Sequence, residues 1–83
     1  MDNERLTIEV DENFDYFQRH VSAWMKDHAG EYAVLRSQTV VAFFRTVGDA
    51  YRSATEQFPD NLFSIQEVTD RPVDLGVFSH ALN

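Results

Sequence analysis

The longest periodic pattern in the chain is an apolar stripe in its first third. Apolar residues recur at spacings of three and four over residues 12–28, which is typical of one buried helix face. Acidic side chains crowd residues 11–15, and carboxylates favour the start of a helix. Gly30 is well placed to end this helix in the left-handed conformation. The stripe consists of Phe14, Phe17, Val21, Trp24, Met25 and His28.

Two runs rich in β-branched and aromatic residues follow, at residues 32–36 and 39–45, and both predict strands. Only Ser37 and Gln38 separate them, so we expect a tight hairpin. The turn chemistry is poor, because neither residue tolerates positive φ as glycine or asparagine does.

A second helix is predicted to begin at Thr46, where Thr46 and Asp49 resemble a capping box. Its apolar stripe ends at Phe58, and the Pro-Asp-Asn sequence that follows stops it. Residues 62–68 predict a third strand. The stripe of this helix consists of Val47, Ala50, Tyr51, Ala54 and Phe58.

The order helix, strand, strand, helix, strand predicts an α+β fold. The third strand pairs best with the first, which gives a three- or four-stranded antiparallel sheet of order 2-1-3 with a right-handed crossover. We expect both helices on one face. Residues 1–11 read as an acidic arm, in which Leu6, Ile8 and Val10 alternate as in an extra strand. Residues 12–68 form the single domain, and residues 69–83 an apolar tail packed on it.

Composition narrows the class of protein. The 83 residues include 7 Phe, 3 Tyr, 1 Trp and no Cys, so the core relies on aromatic side chains rather than on disulfides. A small chain without disulfides favours the cytoplasm. No apolar run approaches the roughly 20 residues that span a bilayer, and the charged N-terminus does not resemble a signal peptide.

The net charge of −7 argues against direct binding to nucleic acid or to an anionic membrane. Residues 1–15 carry six acidic side chains and one basic one. The rest of the chain is nearly balanced, so residues 1–15 carry most of the negative charge.

Several short motifs resemble a family of short, uncharacterised bacterial proteins. They are a Trp-bearing helix followed by glycine, a strand hairpin, a helix ending at an aromatic-Pro pair, and a closing strand with a Pro-Val-Asp-Leu-Gly tail. The resemblance implies the same α+β fold and implies no activity. Its residues are Trp24 to Lys26, His28 to Val34, Val40 to Phe44, Asp49 to Tyr51, Phe58, Pro59, Phe63 to Val68 and Pro72 to Gly76.

The residue types offer little catalytic chemistry. His20 and His28 lie eight apart, whereas two zinc ligands on a helix normally lie four apart, so we expect one solvated and one partly packed histidine. Ser79 and His80, with Asp74 nearby, read as the polar end of a packed tail, because sequence neighbours rarely converge into a triad. We predict no catalytic, metal or cofactor-binding residue and no enzymatic activity.

The leading hypothesis is a protein-binding module that acts through the acidic arm and an apolar sheet edge. The second strand is apolar on both faces and lies at an edge in the 2-1-3 order, so it favours a homodimer slightly over pairing with the arm. The alternatives are an acidic, nucleic-acid-mimicking inhibitor of the anti-defence type, bacterial or phage-encoded, and a small enzyme with sites in the tail. The candidate partner-binding residues are Asp2, Glu4, Glu9, Val41, Phe43 and Arg45.

Overall fold

The computed structural model describes residues 3–70 of the chain. It confirms the predicted α+β fold, the order of the five elements and the antiparallel sheet, whose strand order is β2-β1-β3. Of the predicted tail at residues 69–83, residues 71–83 lie outside the described part of the chain. The elements are α1 (Asn3–His28), β1 (Tyr32–Leu35), β2 (Val40–Phe44), α2 (Val47–Gln57) and β3 (Ser64–Glu67).

The first helix begins nine residues earlier than the sequence predicts. Residues 6–10 are helical within α1, so the predicted extra strand is wrong. Leu6 and Val10 are also four apart, which places them on one helix face with Phe17. Val10 and Phe17 are buried, whereas Ile8 is 52% exposed, as the helical period requires and the strand alternation does not.

The hairpin turn lies where the sequence predicts it. Arg36 and Thr39 exchange backbone hydrogen bonds of 2.9 and 3.1 Å, and Ser37 and Gln38 between them have φ values of 52° and 60°. Two successive residues of positive φ are the signature of a type I′ turn, whose twist matches that of the strands it joins. The chain therefore adopts this turn without the glycine that usually permits it.

The two helices lie on opposite faces of the sheet, so the expectation that both cover one face is wrong. Successive side chains of a strand point to opposite faces. Ala33 and Leu35 pack with Phe17 and Val21 of α1. Between them, Val34 packs with Ala50 and Ala54 of α2. The molecule is therefore a helix–sheet–helix sandwich with one core cluster on each side of the sheet.

This arrangement explains why β2 is apolar on both faces. Phe43 packs on the α1 cluster and Phe44 on the α2 cluster, so each face of the strand has its own helix. A strand covered on both sides reads as a continuous apolar run rather than as an alternating one. No added subunit is needed to cover either face of β2, so a partner would have to bind at the outer edge of the strand.

Candidate docking surface at the β2 edge

Within residues 3–70, β2 pairs with β1 on one side and with no strand on the other. The register shifts between Val34 and Leu35, whose partners are Ala42 and Val40, so Val41 has no opposite residue. This is a β-bulge, a feature that natural sheet edges use against uncontrolled pairing. Val41 is 39% exposed. Beyond the bulge, residues 42–44 keep regular pairing with β1 and present an ordered outer edge.

A row of rings lies on the α1 side of this edge, and we call it the aromatic ridge. Its α1 members recur every four residues and so share one helix face. The rings of Tyr16 and His20 lie 4.3 Å apart, and Trp24 meets Phe43 edge-on at 6.0 Å. His28 stacks on Phe43 at 3.8 Å and 3°. The ridge consists of Tyr16, His20, Trp24, His28 and Phe43.

The aromatic ridge is only partly buried. Four of its members are half-buried and His20 is exposed. Nδ1 of His28 lies 2.7 Å from Oε1 of Glu31, which fixes the imidazole in its stacked position. A set of large rings left half exposed beside a strand edge is typical of protein-binding surfaces.

A cleft of about 380 Å³ lies on the α2 side of the same edge. Phe44 contributes its apolar wall, and α2 contributes Asp49, Arg52, Ser53 and Glu56. Arg52 donates to the Asp49 carboxylate at 2.9 Å. Glu56, which is exposed, makes no ion pair with any described residue, so the cleft has a net acidic character. The two sides of the edge thus differ in chemistry.

The structure brings together only some of the predicted partner-binding residues. Val41 and Phe43 lie in β2, and Arg45 is exposed just after it. Glu4 is exposed in the first turn of α1, three turns before Tyr16 of the ridge. Asp2 lies outside the described residues, as do Asp74, Ser79 and His80.

Glu9 has a structural role that the sequence did not reveal. Its Oε2 accepts hydrogen bonds from the Ser37 backbone N–H at 2.7 Å and from Nδ2 of Asn13 at 3.0 Å. Asn13 Oδ1 accepts from the Gln38 backbone N–H at 2.7 Å, and Asn13 Nδ2 donates to the Leu35 carbonyl at 3.3 Å. Two side chains of α1 therefore hold both residues of the hairpin turn, an arrangement we call the turn clamp.

A second cleft, of about 290 Å³, lies beside the turn clamp. Its charged groups are largely compensated. Arg36 makes a two-pronged pair with Asp60 at 2.9 and 3.1 Å and lies 4.6 Å over the Phe58 ring. The Leu62 N–H, which donates to Asp60, and the Arg36 guanidinium together hold the pKa of Asp60 below its usual value. The lining residues are Arg5, Ile8, Glu9, Arg36, Ser37 and Leu62.

The described residues contain no group of three His, Asp or Glu side chains that could hold a metal ion. His20 and His28 contact aromatic rings instead, and His28 also lies beside the Glu31 carboxylate. Within residues 3–70, no helix has the length and apolar character needed to cross a membrane.

Sequence reasoning missed Tyr16 of the ridge and the acidic cleft on α2. The sequence does contain a signal for the ridge, because four rings recur every four residues and form a second helical stripe beside the buried one: Tyr16, His20, Trp24 and His28. The sequence contains no signal for the cleft, because the cleft forms only when α2 docks beside Phe44.

Comparison with known proteins gives no match to this chain among protein-family models, curated proteins or solved structures. The resemblance to short bacterial proteins therefore remains an expectation, and a functional assignment has to come from the geometry of the β2 edge and its surroundings.

Proposed function

We propose that the protein is a small protein-binding module that captures an extended segment of a partner protein along the outer edge of β2. The observation that carries this proposal is the regular edge at residues 42–44 between the aromatic ridge and the α2 cleft. An added strand gains main-chain hydrogen bonds from the edge, and its alternate side chains reach the surfaces on either side. Such binding needs no catalytic group and no cofactor.

A partner protein fits this edge better than a second copy of the chain does. Each copy carries a net charge of −7, and such charge opposes self-association. The bulge at Val41 also shortens the regular edge that two copies would have to share across a two-fold axis. Because a chain of 83 residues without cysteine suits a reducing compartment, we place the binding event in the cytoplasm.

The proposal is tested with two matched surface substitutions. Val41 and Ile8 are the large hydrophobic side chains that the described part of the chain exposes, at 39% and 52%. Val41→Lys puts a charge on the edge, where lysine blocks strand pairing, whereas Ile8→Lys makes the same change on α1. A partner is first captured with the parent protein, and its affinity for both variants is then measured by titration.

We expect Val41→Lys to weaken binding at least about tenfold and Ile8→Lys to leave it within about twofold. Equal losses in the two variants would show that the β2 edge is not the docking site. Light scattering of the parent at ~100 μM, where a micromolar dimer is populated, tests whether a second copy of the chain occupies the edge instead. A dimer mass that Val41→Lys reduces to a monomer would assign the edge to a second copy of the chain.

A second candidate function is inhibition of a nucleic-acid-handling protein by mimicry of phosphates. One observation favours it: the acidic side chains from Glu4 to Asp15 belong to a helix rather than to a loose arm. Glu4, Asp11 and Glu12 are exposed on α1, while Asp15 pairs with Arg19. Removal of two of these carboxylates tests the candidate. If the protein is such a mimic, the double variant Glu4→Gln, Asp11→Asn would lose binding to a basic partner, whereas Val41→Lys would still bind it.

A further inference from the structure

We propose that the captured segment alternates apolar and basic side chains, with the apolar ones facing α1 and the basic ones facing α2. The inference rests on the proposed strand addition at β2 and adds the chemistry of the partner. It follows from the different surfaces that the two faces of the sheet offer at this one edge.

On the α1 face, the added strand meets aromatic rings. Phe43 faces α1 and packs against the rings of Trp24 and His28. A residue placed beside Phe43 in a neighbouring strand lies with its Cβ roughly 4.5–5.5 Å away. Aromatic–aliphatic cross-strand pairs are favourable at that distance. An apolar side chain at this position therefore completes the burial of the half-exposed ridge.

On the α2 face, the added strand meets an acidic cleft. Ala42 pairs with Val34 and faces α2, and its short side chain leaves room beside the strand. Phe44 lines the cleft next to it, with Glu56 and the Asp49–Arg52 pair on α2. A long cationic side chain lays its methylene groups along Phe44 and brings its charge to Glu56. An acidic side chain there would face uncompensated carboxylate charge.

The probe is a capped heptapeptide of alternating valine and lysine, with three lysines. One control peptide carries glutamate in place of each lysine, and another carries an N-methyl group on every backbone nitrogen of its seven residues, which removes the hydrogen-bond donors along both edges. Binding to the full-length, isotope-labelled protein is followed by amide chemical-shift changes and by calorimetric titration. Glu56→Gln is compared with Glu4→Gln, an equal change of charge at an exposed glutamate of α1.

We expect the lysine peptide to shift the amides of residues 40–45 and to bind at least about tenfold more tightly than the glutamate peptide. Glu56→Gln should weaken the binding of the lysine peptide about three- to tenfold. Glu4→Gln should weaken it less than about twofold, since screened charges at a distance contribute little. N-methylation should abolish the shifts.

Two outcomes separate this inference from the proposed function. Comparable binding of the lysine and glutamate peptides at residues 40–45, or equal effects of Glu56→Gln and Glu4→Gln, would overturn the basic preference and leave strand addition standing. Shifts that survive N-methylation, or the absence of shifts at residues 40–45 with either peptide, would overturn strand addition together with the inference.

Discussion

The carboxylate of Glu9 accepts a 2.7 Å hydrogen bond from the backbone N–H of Ser37, 28 positions further along the chain. Ser37 and Gln38 both have positive φ, a conformation that costs residues with a side chain about 1–2 kcal/mol each. Glu9 and Asn13 each bind one of these two backbone N–H groups. The turn clamp thus offsets local strain in the hairpin that leads into β2, and it ties the N-terminal half of α1 to the sheet.

Loss of the Glu9 carboxylate should destabilise the fold. Glu9→Ala removes the acceptor for the Ser37 N–H and for the Asn13 amide, and we expect a loss of about 1–2 kcal/mol in the free energy of unfolding, as for a charge-assisted hydrogen bond. Glu4→Ala is the control, because an exposed surface side chain should change stability by less than about 0.5 kcal/mol. Urea denaturation measures both. Equal midpoints for the two variants would mean that the clamp does not hold the turn.

Introducing a glycine at the hairpin turn and removing the glycine after α1 should change stability in opposite directions, because both positions have positive φ. Gln38→Gly relieves a φ of 60° and leaves the backbone N–H that binds Asn13, so we expect a gain of about 0.5–1 kcal/mol. Gly30 has a φ of 85° and no atom within 4 Å of an added Cβ, so Gly30→Ala should cost about 1–2 kcal/mol from backbone strain alone. Thermal unfolding of both variants measures the two changes in stability. A Gln38→Gly variant less stable than the parent would mean that the backbone of Gln38 is not strained.

Much of the fold could be predicted from the sequence, because local periods and topological rules agree over residues 12–68. The Thr46 cap is confirmed, since its side chain accepts from the Asp49 N–H at 3.1 Å. The start of α1 was missed because the alternation of Leu6, Ile8 and Val10 resembles a strand and the acidic side chains at residues 11–15 resemble the start of a helix. The opposite placement of the helices was missed although residues 33–35 are apolar without a break, a pattern that signals cover on both faces.

The docking surface was harder to predict, because it is made by packing. Sequence reasoning found Val41 and Phe43 through the unbroken apolar run of β2. It did not find the bulge, which depends on register, or the α2 cleft, which depends on where Glu56 lies relative to Phe44. It also counted Glu9 as a free acidic side chain, since nothing in the local sequence reveals a hydrogen bond to a residue 28 positions away.

Asp60 should make stability depend on pH in the acid range. Its pKa is lowered by the Leu62 N–H and by Arg36, so its contribution is complete above the unfolded value of about 3.9. The contribution is lost as the pH falls through the lower folded value. Between about pH 5 and pH 2, Asp60→Asn should therefore lose less stability than the parent does. Denaturation midpoints across this window measure the difference, and parallel curves for parent and Asp60→Asn would contradict the assignment.

Two buried amides in the α1–sheet interface differ in their hydrogen bonding. Asn13 and Gln66 are each 1% exposed. The Asn13 amide binds Glu9, Leu35 and Gln38. Among residues 3–70, no group hydrogen-bonds either polar atom of the Gln66 side chain or the Ser64 hydroxyl on the same face of β3. The Asn13 amide thus stabilises the fold, whereas the buried Gln66 amide lowers its stability.

Apolar replacements of these two amides should therefore have opposite effects on stability. An unsatisfied buried polar group costs about 1–3 kcal/mol, so Gln66→Met, which keeps the length of the side chain, should leave stability unchanged or raise it within that range. Asn13→Leu strands the Gln38 N–H and the Leu35 carbonyl, and should lower stability by about 2–4 kcal/mol. Urea denaturation of both variants gives the comparison. If Gln66→Met were as damaging as Asn13→Leu, the Gln66 amide would have to bind a group such as an internal water, because only a satisfied buried amide is costly to remove.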